Sequence, residues 1–161
     1  MEGGQRDAGS SRLPLAYREA TIPVLWQGGG MEPADALILV VDDDPTARRM
    51  LDVRMRALGC RVAMAGTGRE ALAAIEHAPP AVVLLDLHMP DLDGLDVLRT
   101  LRRMGIGIAT IVVSAHGSRE TVAEAMNLGA VDFLVKPFDP QHLESVVRGV
   151  LERPPASVGE S

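Results

Sequence analysis

Between Ala36 and Glu152 the chain alternates five short apolar runs with five segments of helical period. The first run, ALILVV (36–41), and the third, AVVLLD (81–86), are almost unbroken, as in parallel strands buried on both faces. The second, CRVAMA (60–65), alternates polar and apolar and so suits a sheet edge. IATIVVSA (108–115) and VDFLV (131–135) supply the fourth and fifth strands.

The intervening segments carry helix signals. Asp44 and Pro45 open the first helix, Ala47, Met50, Leu51, Met55 and Leu58 give it an apolar stripe, and Gly59 ends it. GREALAAIEHA (68–78) is stopped by Pro79-Pro80, and DGLDVLRTLRRM (93–104) follows the third strand. Ser118 caps SRETVAEAMNLG, with Gly129 as its stop, and Asp139-Pro140 starts the last helix through HLESVVRGVLE. Met126 and Val122 on the fourth helix, and Val146 and Val147 on the fifth, read as core residues by their period.

Strict alternation predicts an α/β fold, a doubly wound five-stranded parallel sheet with helices on both faces, flavodoxin-like in layout. The most apolar strands, one and three, belong in the middle, and the common order 2-1-3-4-5 satisfies this.

Residues 1–35 read differently. Six of the 16 glycines fall there, with the only Tyr and Trp (Tyr17, Trp26), and no apolar period is sustained. The expected organisation is a disordered arm over 1–35, with Met31 as an alternative start, a folded domain over 36–152, and a frayed tail over 153–161. RPPASVGES is too short for an output domain, so output is expected through protein–protein contacts.

Composition narrows the chemistry. A net charge of −6 argues against sequence-independent binding to nucleic-acid phosphates. The one cysteine, Cys60, excludes an internal disulfide and reads as a small buried hydrophobe. No segment has the apolar length of a membrane span and no secretory pattern opens the chain, so a cytoplasmic protein is expected.

The apolar first strand runs directly into Asp42, Asp43 and Asp44. Asp42 and Asp43 end strand one and Asp86 ends strand three, its neighbour across the switch point where such sheets bind ligands. Two carboxylates ~5 Å apart repel by roughly 3 kcal/mol at an effective dielectric of ~20. A shared proton or a divalent cation relieves that, and oxygen ligands without thiolates favour Mg²⁺. Ser114 at the end of strand four and Lys136 at the end of strand five add a hydroxyl and an ammonium. Together they suit a tetrahedral dianion, and hence phosphoryl transfer. Asp44, Asp91 and Asp93 have caps and turns to explain them and are left outside the site.

At these residues the chain resembles the receiver domain of two-component response regulators. ILVVDDDP, VVLLDLHMPDLDG, IVVSA and GAVDFLVKPF match in order and spacing, over roughly 36–152. The resemblance implies that Asp86 accepts a phosphoryl group from a phosphohistidine of a sensor histidine kinase or phosphotransfer protein. It implies that Asp43, Asp86 and the main-chain carbonyl of His88 bind Mg²⁺, with Asp42 acting through water. Lys136, before a cis Pro137, and Ser114 would contact phosphoryl oxygens. Ser114 and Phe133, where the family often has tyrosine, would form a switch read on the face of helix 4, strand 5 and helix 5. Serine here replaces the commoner threonine.

His88 and His116 each lie two residues beyond a site residue. They read either as exposed loop imidazoles or as groups that tune the lifetime of the phosphoryl group. His77 and His142 have no evident role. Two other classes compete. A haloacid-dehalogenase-like phosphohydrolase wants an aspartate where His88 stands. A flavin carrier wants a phosphate-cradling first loop, which DDDPT is not. Within the receiver reading, a phosphorelay intermediate and a phosphate sink stand beside a switch for a downstream protein.

Overall fold

A computed structural model describes residues 30–152. The strands are β1 (Leu37–Val41), β2 (Arg61–Ala65), β3 (Val82–Leu85), β4 (Ala109–Ser114) and β5 (Asp132–Val135). The helices are α1 (Pro45–Ala57), α2 (Gly68–His77), α3 (Gly94–Arg103), α4 (Arg119–Asn127) and α5 (Pro140–Glu152). All neighbouring strands pair in parallel, in the order β2-β1-β3-β4-β5, as the alternation predicts.

Side chains leave a strand on alternate faces, so each central strand feeds two cores. Ile38, Val40, Val82, Leu84, Ile111 and Val113 meet Leu51 and Met55 of α1 and Leu143, Val147 and Leu151 of α5. Leu39, Val41, Val83, Leu85 and Val112 meet Ala71 and Ile75 of α2, Val97, Leu98 and Leu101 of α3, and Ala125 of α4. Buried Leu, Val and Ile side chains contribute about 1.5–3 kcal/mol each, which explains how a chain so poor in aromatics holds together.

The helix starts follow the predicted caps. Asp44 accepts from the Thr46 amide, Asp93 from Asp96, Ser118 from Thr121, and Asp139 from Gln141. Thr67 caps α2 through the Glu70 amide, while the Glu70 carboxylate accepts from the Gly66 amide. Gly59 and Gly129 end α1 and α4 at φ +100° and +106°, a backbone region open chiefly to glycine. Cys60 is buried, and loss of water pushes its thiol pKa up against the opposing pull of Arg148.

Three expectations need correction. The folded unit begins before Ala36: Met31 is buried against the first core, its amide donates to the Leu151 carbonyl at 2.7 Å, and Pro33–Asp35 forms a 3-10 turn. A lone apolar residue has no period, so pattern reading assigned it to the arm. Residues 1–29 of that arm, Tyr17 and Trp26 included, and the tail 153–161 lie outside the described residues. Met50 and Met126 are exposed, at 42% and 43%, because α1 and α4 bury narrower stripes than their sequences offer. No helix among the described residues is long and apolar enough to cross a membrane.

Candidate functional site at the carboxyl ends of the strands

Register brings the aspartates together. Val41 pairs with Leu85, so the next residues, Asp42 and Asp86, emerge side by side from β1 and β3. One carboxylate oxygen each from Asp42, Asp43 and Asp86 lies within 4.8 Å of the others. Asp42 is 1% exposed and Asp86 7%, whereas Asp43 faces solvent.

The two buried carboxylates are treated differently. Asp42 Oδ2 accepts from Lys136 Nζ at 2.7 Å and Oδ1 from the Asp44 amide at 2.9 Å. Its main-chain carbonyl takes Nη1 of Arg48 at 2.8 Å. Asp86 carries a raised pKa. Burial is the main cause and the charge of Asp42 adds to it, while Lys136 and the amides of His88 and Leu87 pull the other way without prevailing. Three carboxylates thus face one ammonium, with Arg48 at the rim, and this surplus of hard oxygen donors fits a small divalent cation.

β4 and β5 complete the rim. Ser114 is fully buried, and its Oγ accepts from the His116 amide at 3.1 Å. The Lys136 amide donates to the Ser114 carbonyl at 2.8 Å, which keeps the ends of β4 and β5 level, and the Lys136–Pro137 bond is cis. His88 and His116 meet edge to face, ring centroids 4.0 Å apart. They border an open groove of about 500 Å³ with Asp93, Ser118 and Thr121. Beneath the acceptor loop, Gly94 is obligatory: a Cβ there would sit 2.5 Å from the Asp86 carbonyl. Phe133 stands apart from the carboxylates, half-buried on β5 against the second core.

A family model described as the response regulator receiver domain matches residues 38–148. The chain belongs to the response regulator receiver family. This receiver is 40% identical, over 116 residues, to the DNA-binding response regulator MtrA of Mycolicibacterium smegmatis, covering 72% of this chain and 50% of that protein. It is 36% identical over 115 residues to the regulatory protein AtoC of Escherichia coli, covering 71% of this chain and 25% of that one. The receiver thus spans about half of one relative and a quarter of the other. Among solved structures, a CheY-like receiver domain protein of Methanospirillum hungatei superposes with a TM-score of 0.69 at 29% identity, over 72% of this chain and 93% of that one. Chemotaxis protein CheY4 of Vibrio cholerae does so at 0.66 and 31%, over 72% and 98%.

Two features of the site were not anticipated from the sequence. Arg48 reads as a polar residue of α1, yet it closes over the Asp42 carbonyl. Asp91 reads as a turn former, yet from its loop the carboxylate reaches the start of α2 and accepts from the amides of Gly68 and Arg69. A charged residue one turn into α1 could have flagged the first; nothing local flags the second.

Proposed function

We propose that this receiver accepts a phosphoryl group on Asp86 from a phosphohistidine of a sensor histidine kinase or phosphotransfer protein. An Asp86 carboxylate oxygen attacks phosphorus, the phosphorus–nitrogen bond breaks, and its electron pair returns to the donor imidazole, leaving an acyl phosphate on Asp86. The observation that carries this reading is one buried, poorly compensated carboxylate set among Asp42, Ser114 and Lys136 at four adjacent strand ends.

Roles follow from the partners each group already has. Both Asp42 oxygens are engaged by Lys136 and the Asp44 amide, which favours contact with a cation through water. Asp43, Asp86 and the main-chain carbonyl of His88 would hold Mg²⁺ directly, and its charge would offset the growing negative charge of the transferring group. Lys136 would move its ammonium from Asp42 to a phosphoryl oxygen, and Ser114 would donate to another. Phe133 would follow Ser114 as the second half of the switch. Because Asp86 stands at 7% exposure and the His88 and His116 rings meet two residues beyond Asp86 and Ser114, we assign those imidazoles to limiting water attack on the acyl phosphate.

Output is assigned to a protein target on the α4–β5–α5 face, where Met126, Val131 and Val135 are exposed at 43%, 41% and 45%. A relay intermediate or a phosphate sink would use the same chemistry. The receiver itself, at net charge −6 for the whole chain, is assigned no nucleic-acid contact and a place in the cytoplasm. Apart from its own phosphorylation and slow dephosphorylation, no turnover is assigned to it.

Acetyl phosphate with Mg²⁺ tests the central claim. Intact-mass and peptide analysis should find one phosphoryl group on Asp86, lost completely in Asp86→Asn. A label elsewhere, or none, would sink the assignment.

A further inference from the structure

The loop from Asp86 to Gly94 carries the acceptor, and its two ends are fixed locally. Leu87 is buried and its carbonyl accepts from the Gly94 amide at 2.9 Å, while Asp93 caps α3. The middle of the loop is held from outside. Asp91 Oδ1 accepts from the Gly68 amide and Oδ2 from the Arg69 amide, each at 2.9 Å. These are the first two amides of α2, donors that a helix cannot satisfy internally. Thr67 already serves the Glu70 amide, so capping of α2 is divided between its own Thr67 and a residue 23 positions from Gly68.

A second contact makes the joint rigid. Leu92 lies directly on Gly68: a Cβ there would stand 2.7 Å from the Leu92 Cβ and 3.0 Å from the Leu92 carbonyl. Only a glycine at the start of α2 lets the loop approach so closely. Although exposed, the Asp91 carboxyl is held down at about 2: desolvation is the largest single influence and raises it, but the amides of Arg69, Leu92, Gly68 and Asp91 itself together outweigh that.

We propose that Asp91 is a positioning residue for the phosphorylation site, seating the acceptor loop on the first turn of α2 so that the Leu87 and His88 backbone is preset around Asp86. This rests on the reading above, in which His88 offers its carbonyl to Mg²⁺. The Leu87 and His88 amides lower the Asp86 pKa against its burial, so both sides of that backbone segment matter to the site. The alternative is a plain helix cap. The two differ in what Thr67 should do, since the Thr67 hydroxyl caps the same helix through the Glu70 amide rather than the loop.

The experiment compares Asp91→Ala and Asp91→Asn with Thr67→Ala and the parent. The readouts are amide hydrogen exchange across 87–93 without Mg²⁺, and the Mg²⁺ dependence of labelling by acetyl phosphate. Asp91→Ala should speed exchange at His88 and Met89 and raise the half-saturating Mg²⁺ concentration about tenfold, the low end for groups that orient metal ligands. Its rate at saturating Mg²⁺ should stay close to that of the parent. Asp91→Asn, which keeps one acceptor oxygen, should fall between, and Thr67→Ala should change neither readout while fraying α2. Equal effects of Asp91→Ala and Thr67→Ala, or parental exchange in Asp91→Ala, overturn the proposal. A parent that takes no label defeats the phosphoacceptor reading instead, and exchange in the metal-free protein still decides whether Asp91 holds the loop.

Discussion

The ends of β1 and β3 lie side by side and both bury an aspartate, yet they handle its charge in opposite ways. Asp42 has an ammonium on one oxygen and a backbone amide on the other. Asp86 has neither: the amides of its own loop and the charge of Lys136 lower its pKa, but burial and Asp42 keep it raised. The first is a well-partnered ion; the second is a carboxylate that burial disfavours as an ion, a cost that a cation or a phosphoryl group would relieve. Two identical side chains on adjacent strands thus differ in their electrostatic surroundings because one cation is already engaged by Asp42.

The largest effect on stability should come from taking that cation away. Lys136→Met leaves Asp42 buried without its counter-charge, and urea unfolding should show a loss of about 2–3 kcal/mol, the 26% exposure of the lysine softening the usual cost of breaking a buried pair. Labelling of Asp86 should fall with it. A loss below a few tenths of a kcal/mol would mean that the Asp44 amide alone suffices for Asp42.

Asp86→Asn should act in the opposite direction. A carboxyl whose pKa is raised by folding binds its proton more tightly in the folded state, so its stabilising share is present at low pH and fades as pH rises through the raised value. At neutral pH without Mg²⁺ the variant should therefore be more stable than the parent, by on the order of 1 kcal/mol. The gap should close as pH falls below the ordinary carboxylate range, and Mg²⁺ should stabilise the parent more than the variant. Equal melting temperatures at pH 7 would place Asp86 on the same footing as Asp42.

The smallest effect concerns the paired rings of His88 and His116, on the loops that follow Asp86 and Ser114. His88→Ala and His116→Ala should each change the half-life of the acyl phosphate by about threefold to tenfold, on the order of 1 kcal/mol on the barrier to water attack, with little change in stability. Unchanged half-lives would leave the edge-to-face pair as a purely structural contact.

The sequence makes some of this contrast plain and hides the rest. Strand ends are easy to see, because an apolar run broken by Asp42 or Asp86 marks the end of a buried strand, and Ser114 and Lys136 follow the same rule. Caps such as Asp44, Thr67 and Ser118 act over two or three residues, within the reach of a pattern. Asp91 acts over 23 positions and Lys136 over 94, so which aspartate receives a partner depends on how the elements pack. Met50 and Met126 mislead for a related reason: helical period shows which residues share a stripe, while the width of stripe that is covered is set by the neighbouring elements. Met31 is the converse, a single residue whose burial depends on α5, more than a hundred positions away in the chain.

The hydrogen bond between the Met31 amide and the Leu151 carbonyl joins the two limits of the described domain. Because α5 runs antiparallel to β1, this junction lies at the pole remote from Asp86, about 16 Å away along a five-residue strand. Fusions or tags joined at residue 30 or 152 would therefore emerge as neighbours, on the far side of the sheet from an incoming phosphodonor. Any signal handed to such an attachment would have to travel the full height of the sheet.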